Sequence, residues 1–231
     1  MAISVDRVYQ TVLAIANKEQ RGYITPQEYN LFANHAQNEI FEQYFYDLNQ
    51  FLRIPSNKTV TSDPRDIIEE KISMFRKVNQ LSGTNFPGDF YRLESVKIGE
   101  LHGKFYVAEE VAKREYDMYE ASSLTKPPAN RPIFYRTEYG ITYSPYNDGN
   151  TVTMDYIRKP KKPNWTYVVI NGKAVWNPSD VSGKQDFELH DSEEKNLVIK
   201  ILQLAGVAIK DFNISQLAGQ KEVGYVQQEK A

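Results

Sequence analysis

Catalysis and metal binding need particular side chains at particular spacings, and this chain of 231 residues has few candidates. Its three histidines, His35, His102 and His190, lie far apart, and none has a second ligand one helical turn away as a zinc-binding helix requires. His35 falls on a long apolar-striped segment and reads as packing; His190 stands just ahead of a helix start. The acid pairs Glu109-Glu110 and Glu193-Glu194 contain the residue type that cleaves glycosides, but that chemistry needs two carboxylates facing each other across a sugar. Neighbouring residues on a helix point apart, so solvated faces explain both pairs. Asn147-Asp148-Gly149-Asn150 has half the look of a calcium loop, yet the closing bidentate acid is missing and a hairpin turn accounts for it. No Gly-x-Ser-x-Gly elbow and no glycine-rich phosphate loop occurs. With no cysteine, disulfides, thiolate sites and cysteine nucleophiles are excluded together. The sequence therefore predicts neither a catalytic centre nor a metal, and no cofactor.

One basic run remains, Arg158-Lys159-Pro160-Lys161-Lys162-Pro163-Asn164-Trp165. Arg158, Lys159, Lys161 and Lys162 are its candidates for contacting a phosphate backbone without reading sequence, with an aromatic beside them. The plainer alternative is a solvated, proline-stiffened connection, and the chain as a whole, with 28 basic and 30 acidic residues, adds no basic surface. A protein whose task is to grip nucleic acid would carry more positive charge.

The best-specified element is ITPQEYNLFANHAQNEIFEQYFYDLNQFLR, residues 24–53. Thr25, Pro26 and Glu28 form a capping-box start, and Phe32, Ala36, Ile40, Phe41, Tyr44, Phe45, Leu48 and Leu52 make an apolar stripe along about 40 Å of helix. Between Thr25 and Arg53 the polar face carries eight amides against five formal charges. Amides pack against another chain without the cost of burying an ion, so Asn30, Asn34, Gln37 and Asn38, with Tyr44, are the candidates for contact with a neighbouring subunit. The 16 tyrosines and 11 phenylalanines suit either an interface or an aromatic core.

Around this helix, residues 4–17 form another with Val5, Val8, Val12 and Ile15 on one face, and a third begins at Asp63-Pro64, turning Ile67, Ile68, Ile72 and Phe75 inward. The period then changes. Tyr91, Leu93, Val96 and Ile98, then Phe105 and Val107, mark strands. A short helix over 109–121 precedes the proline-rich 125–132. Two hairpins are expected: residues 133–146 with 151–158 around Asp148-Gly149, and 166–176 around Asn171-Gly172. From Asp191 the helical period returns through Leu197, Val198, Ile201 and Leu202, with a weaker helix carrying Ile214 and Leu217 and a loose tail after it. The expected fold class is α+β, a helical bundle built from the N- and C-terminal segments with an inserted antiparallel β-rich module. The boundaries are 1–79, 80–187 and 188–231. No run is long and apolar enough for a membrane span, and MAISVDRVYQ lacks a secretory leader's apolar region.

Three stretches, VDRVYQTVLAIANKEQRGYITPQEYNLFANHAQNEIFEQYFYDLNQ, YIRKPKKPNWTYVV and FELHDSEEKNLVIKILQLAGVAIKDFNISQLAGQKE, resemble virion structural proteins of crAss-like and related marine tailed phages. Those proteins are head-to-tail connectors, rings or adaptors beneath the portal. The resemblance is strongest in the first 53 and last 45 residues and carries over no active site. It implies a homo-oligomeric ring, twelve-fold in short-tailed phage adaptors, with the portal and further ring or tail proteins as partners. Double-stranded DNA would pass through the lumen, where near-neutral charge lets it move. It also implies a C-terminal segment reaching toward the portal, with Phe212 and Tyr225 as contact candidates. The protein would be placed in the virion at the portal vertex, and in the host cytoplasm during assembly. The alternative is an accessory nucleic-acid-binding virion protein.

Overall fold

The structure, a computed structural model, describes residues 3–18, 24–53, 62–81, 84–100, 103–147, 150–177, 179–180 and 183–208. Helices α1 (Val5–Lys18), α2 (Pro26–Arg53) and α3 (Ser62–Ser73) come first. Strands β1 (Arg76–Leu81), β2 (Phe90–Glu100), β3 (Phe105–Val107) and β4 (Glu109–Glu110) follow, then helix α4 (Lys113–Ala121). Strands β5 (Ile133–Arg136), β6 (Ile141–Ser144), β7 (Asn150–Arg158), β8 (Tyr167–Ile170) and β9 (Lys173–Trp176) lead to a 3-10 turn, Asp191–Glu193, and α5 (Glu194–Ala208). The class is mixed α+β with chiefly antiparallel sheets. The chain divides into two compact units, Met1–Lys71 with Pro160–Ala231, and Ile72–Lys159. The second boundary differs from the expected one: the β8–β9 hairpin belongs with the helices, because Trp165 at its base is buried against them.

In the helical unit α5 packs on both α1 and α2. Leu197 and Ile201 are fully buried, each worth roughly 1.5–3 kcal/mol relative to exposure. The capping box forms as its sequence dictates: Glu28 N–H donates to Thr25 Oγ1 (3.3 Å), and Thr25 N–H and Oγ1–H donate to the Glu28 carboxylate at 2.9 and 2.7 Å. Those bonds hold the Glu28 carboxyl below its ordinary range. On α1 the buried face is Val5, Val8, Tyr9, Val12 and Ala16. Ile15, expected inward, is 43% exposed, since Ala16 takes the position four residues on from Val12 and turns its neighbour outward. Ile67 of α3, also expected inward, is 53% exposed.

In the β unit the strand order is β1-β7-β2-β3, beside a three-stranded sheet β4-β5-β6. Val152, Met154 and Tyr156 of β7 are buried, but so are Thr153 and Ile157, so this central strand lacks the one wet face that its alternation of Thr151, Thr153 and Asp155 with apolar residues predicts. Leu93 and Val96 reach that same core although three residues apart, because β-bulges at Phe90/Arg92 and Leu93/Ser95 reset the register. Residues 133–146 and 151–158 do not pair with each other. β5 turns back on β6, with Thr137 N–H donating to the Gly140 carbonyl (2.8 Å), and β7 lies instead between β1 and β2. Gly140 makes that turn possible: a Cβ there would lie 1.9 Å from the Thr84 carbonyl oxygen. The 109–121 segment splits into β4 and α4, and no residue of α4 is buried.

The Asn171-Gly172 turn is as expected, with φ of 51° and 75° at its two central residues.

Candidate assembly interface

Helix α2 borders three candidate surfaces, and the first is its inner polar edge. Gln37 is wholly buried; its Nε2 donates to the Lys161 carbonyl (2.8 Å) and its Oε1 accepts from the Glu188 N–H (3.1 Å). Two turns earlier, Asn30 Oδ1 accepts from the Trp165 N–H (2.8 Å), while its Nδ2 donates to Asn164 Oδ1 (3.0 Å) and the Trp165 carbonyl (3.2 Å). The indole of Trp165 lies against Tyr9 with centroids 4.3 Å apart, and its Nε1–H donates to Asp6 Oδ1 at 2.9 Å. Tyr29 completes the cluster: its hydroxyl donates to the Val5 carbonyl (3.0 Å), and burial raises its pKa well above the ordinary value. Two of the five residues expected to meet a second subunit, Asn30 and Gln37, thus hold the chain's own return segment. A third, Tyr44, is buried with Lys71 Nζ 5.6 Å from its ring centre. Asn34 is half-buried and Asn38 exposed.

The second surface is the opposite side of α2. Leu31, His35, Asn38, Glu42, Tyr46 and Asn49, three and four residues apart, form an outward stripe about 27 Å long. It carries one formal charge, Glu42, and exposes Leu31 at 56% and Tyr46 at 61%. Such a face carries fewer charges than an ordinary solvated helix, the exposed Glu39 at its edge being paired with Lys200.

Between α2, α3 and the start of α5 lies the third surface, a groove of about 510 Å³. Ile40, Tyr44, Phe51, Ile67 and Ile68 give it apolar walls, and Asp47, Glu70, Lys71 and Glu193 supply charge. Lys71 Nζ donates to Glu193 Oε1 at 2.6 Å with side chains only 11% and 5% exposed. Glu193 Oε2 accepts from Asn196 Nδ2 (3.3 Å), so the carboxylate is matched on both oxygens. No sequence signal pairs residues 122 apart. His190 lines the groove and serves as the cap itself: Nδ1 accepts from the Ser192 N–H at 3.3 Å.

The basic run straddles the boundary of the two units. Lys159, Lys161 and Lys162 are exposed; Arg158 is half-buried, its guanidinium 5.7 Å from the Phe75 ring centre. Trp165, at 2% exposure, is unavailable to stack on a base. Phe212, Tyr225 and His102 lie outside the described residues. Glu109 and Glu110 are exposed, Glu110 pairing with Arg136 at 2.8 Å, and Glu194 pairs with Arg7.

In the β unit, Asp89 accepts from Lys77 Nζ (2.7 Å) and the Tyr156 hydroxyl (3.0 Å). Lys77 first, then Tyr156, hold the Asp89 carboxyl below its ordinary range; burial and this hydrogen bond push Tyr156 up to about 12. Burial alone would raise Asp155, but Lys97 at 2.6 Å and Ser95 at 2.7 Å hold it low. Lys97 and Asp155 pair between β2 and β7, and Lys77 of β1 pairs with Asp89 just ahead of β2.

Among the described residues, no group of three or more His, Cys, Asp or Glu could hold a metal, and no helix is long and apolar enough to cross a membrane. No protein-family model and no curated protein matches the chain.

The β8–β9 ribbon is the hairpin expected around Asn171-Gly172, but the exposure of its apolar residues is a feature that sequence reasoning passed over. Val168, Val169, Ile170 and Val175 are 42%, 66%, 53% and 44% exposed. The run Val168-Val169-Ile170 ahead of a tight turn is its signal, since consecutive apolar residues on a two-stranded ribbon must leave one face uncovered.

Proposed function

We propose that the chain is a structural virion protein, a head-to-tail connector subunit that assembles side by side into a ring beneath the portal of a tailed phage. In this reading the helices of both chain ends form the bundle that makes the ring's body. The ring joins capsid to tail and surrounds the DNA exit channel, and the C-terminal segment with Phe212 and Tyr225 meets the portal. The ring is twelve-fold by resemblance to short-tailed phage adaptors.

The observation that carries the proposal is the outward stripe of α2: a nearly uncharged, 27 Å helix face that exposes Leu31 and Tyr46. A ring needs on each copy two different surfaces that meet head to tail, and the stripe lies about half a turn of helix away from the groove side of α2. Replacing Leu31 and Tyr46 together by Asp should leave folding within about 0.5 kcal/mol of wild type, because both are exposed. It should abolish the ring that electron microscopy images when wild-type protein is purified alone or mixed with its portal. A wild-type chain that stays monomeric and ignores the portal defeats the reading.

A nucleic-acid-binding role rests on the exposure of Lys159, Lys161 and Lys162. Exchanging all three for Gln would then abolish a salt-sensitive affinity for DNA, whereas a connector has little such affinity to lose.

A further inference from the structure

Resting on the ring reading, we infer that the tip of the β8–β9 ribbon of one copy inserts into the α2–α3 groove of the next copy, and that this knob-in-groove contact is a subunit joint. The ribbon's cross-strand pairs sort its faces. Tyr167 and Trp176 sit opposite each other at the base and both stack on Trp165, with centroids 5.8 and 5.6 Å away. The other face carries the directly paired Val168 and Val175 with Ile170, all exposed, and at the tip Val169 is exposed on the first face as well. A two-stranded ribbon that leaves one apolar face uncovered marks a docking element.

The groove suits that knob in volume and charge. Its 510 Å³ lies within the range of about 300–1,000 Å³ typical of pockets that bury whole ligands, ample for two β-branched side chains. Its walls are apolar, and Ile67 on its rim is 53% exposed. Asp47, Glu70 and Glu193 outnumber Lys71 along it, while the ribbon tip bears a single formal charge, the cation Lys173.

The arrangement within one copy makes the occupant a second copy. The tip residues Gly172, Lys173, Ala174 and Val175 lie beside Tyr9, Gln10 and Leu13 of α1, and no ribbon residue lines the groove. A copy's own tip is thus placed away from its own groove, so the joint is head to tail, the kind that closes rings.

The absence of cysteine permits a clean test. Ile170→Cys and Ile67→Cys are both at exposed positions. Mixed and oxidised, the two singly substituted proteins should give a covalent heterodimer, and the doubly substituted chain a ladder of multimers. Ile170→Asp should raise the concentration needed for assembly about tenfold or more. Efficient dimerisation of Ile170→Cys alone would mean ribbon meets ribbon and would overturn the joint. So would binding to anionic phospholipid vesicles that Ile170→Asp abolishes, with no cross-link formed. Rings imaged without the 67–170 cross-link overturn the joint and leave the ring reading standing; the cross-link in a chain that never closes a ring does the reverse.

Discussion

The return segment of the helical unit and the strands of the β unit are fastened by different chemistry. In the first, a loop distant in sequence is fastened to α2 by the neutral amides of Asn30 and Gln37, with Trp165 seated between them and Asp6. In the second, strands are tied by ion-paired carboxylates, Lys77–Asp89 and Lys97–Asp155, on half-exposed sites. Amides hold one geometry at every pH and cost little to bury when both ends are matched. Carboxylates are strong only while ionised. The helical unit has ion pairs too, Lys71–Glu193 and Lys200–Glu39 with buried ammonium groups and Arg7–Glu194 nearer the surface, but the amide clamp of its return segment is the part that solution conditions disturb least.

The largest expected effect falls on the aromatic seat. Trp165→Ala removes a fully buried ring that touches Tyr9, Tyr167 and Trp176, and should cost about 3–5 kcal/mol. Urea denaturation of the variant, followed by circular dichroism, measures it. A loss under 1 kcal/mol would mean the return segment is held by something other than this cluster.

Next comes the amide clamp. Gln37→Ala strips a donor from the Lys161 carbonyl and an acceptor from the Glu188 N–H in a buried place, so about 2–3 kcal/mol should be lost. Gln37→Glu sharpens the comparison with the β unit: it keeps the acceptor, replaces the donor and makes the clamp sensitive to pH, which the wild-type clamp is not. Equal stability of wild type and Gln37→Ala would remove the distinction between the units.

How far the sequence foretells these features depends on how local their causes are. The capping box at Thr25 and the type I′ turn at Asn171-Gly172 both arise within a few residues and are readable directly. The role of the amides is only half readable: their low charge signals packing, but whether the partner is another chain or a segment 124 residues onward, as for Gln37 and Lys161, depends on topology. The same holds for β7, whose sequence shows a strand yet not which neighbours it takes, and for β2, where bulges put Leu93 and Val96 on one face against simple alternation. The groove escaped because it is assembled from three separated elements. Ile67, expected inward from its spacing, instead stands on that groove's rim.

The smallest effect separates the units by pH. Asp89 and Asp155 have carboxyl pKa values below their ordinary 3.8 in the folded chain. Their contribution is complete above that value and disappears as pH falls through the lowered folded pKa, because protonation then dissolves both ion pairs. Tyr156, raised to about 12, acts in the opposite direction: its contribution is complete below about pH 10 and fades as pH climbs toward 12. Both tryptophans, Trp165 and Trp176, belong to the helical unit, so indole fluorescence follows that unit alone, while hydrogen exchange in β2 and β7 follows the other. Between pH 5 and 3, exchange protection of β2 and β7 should weaken while the indole transition moves less. The double variant Asp89→Asn with Asp155→Asn should flatten the dependence at the cost of lower protection at pH 7. If both probes shift together and the double variant changes neither, the two units share one electrostatic fastening and the contrast drawn between them fails.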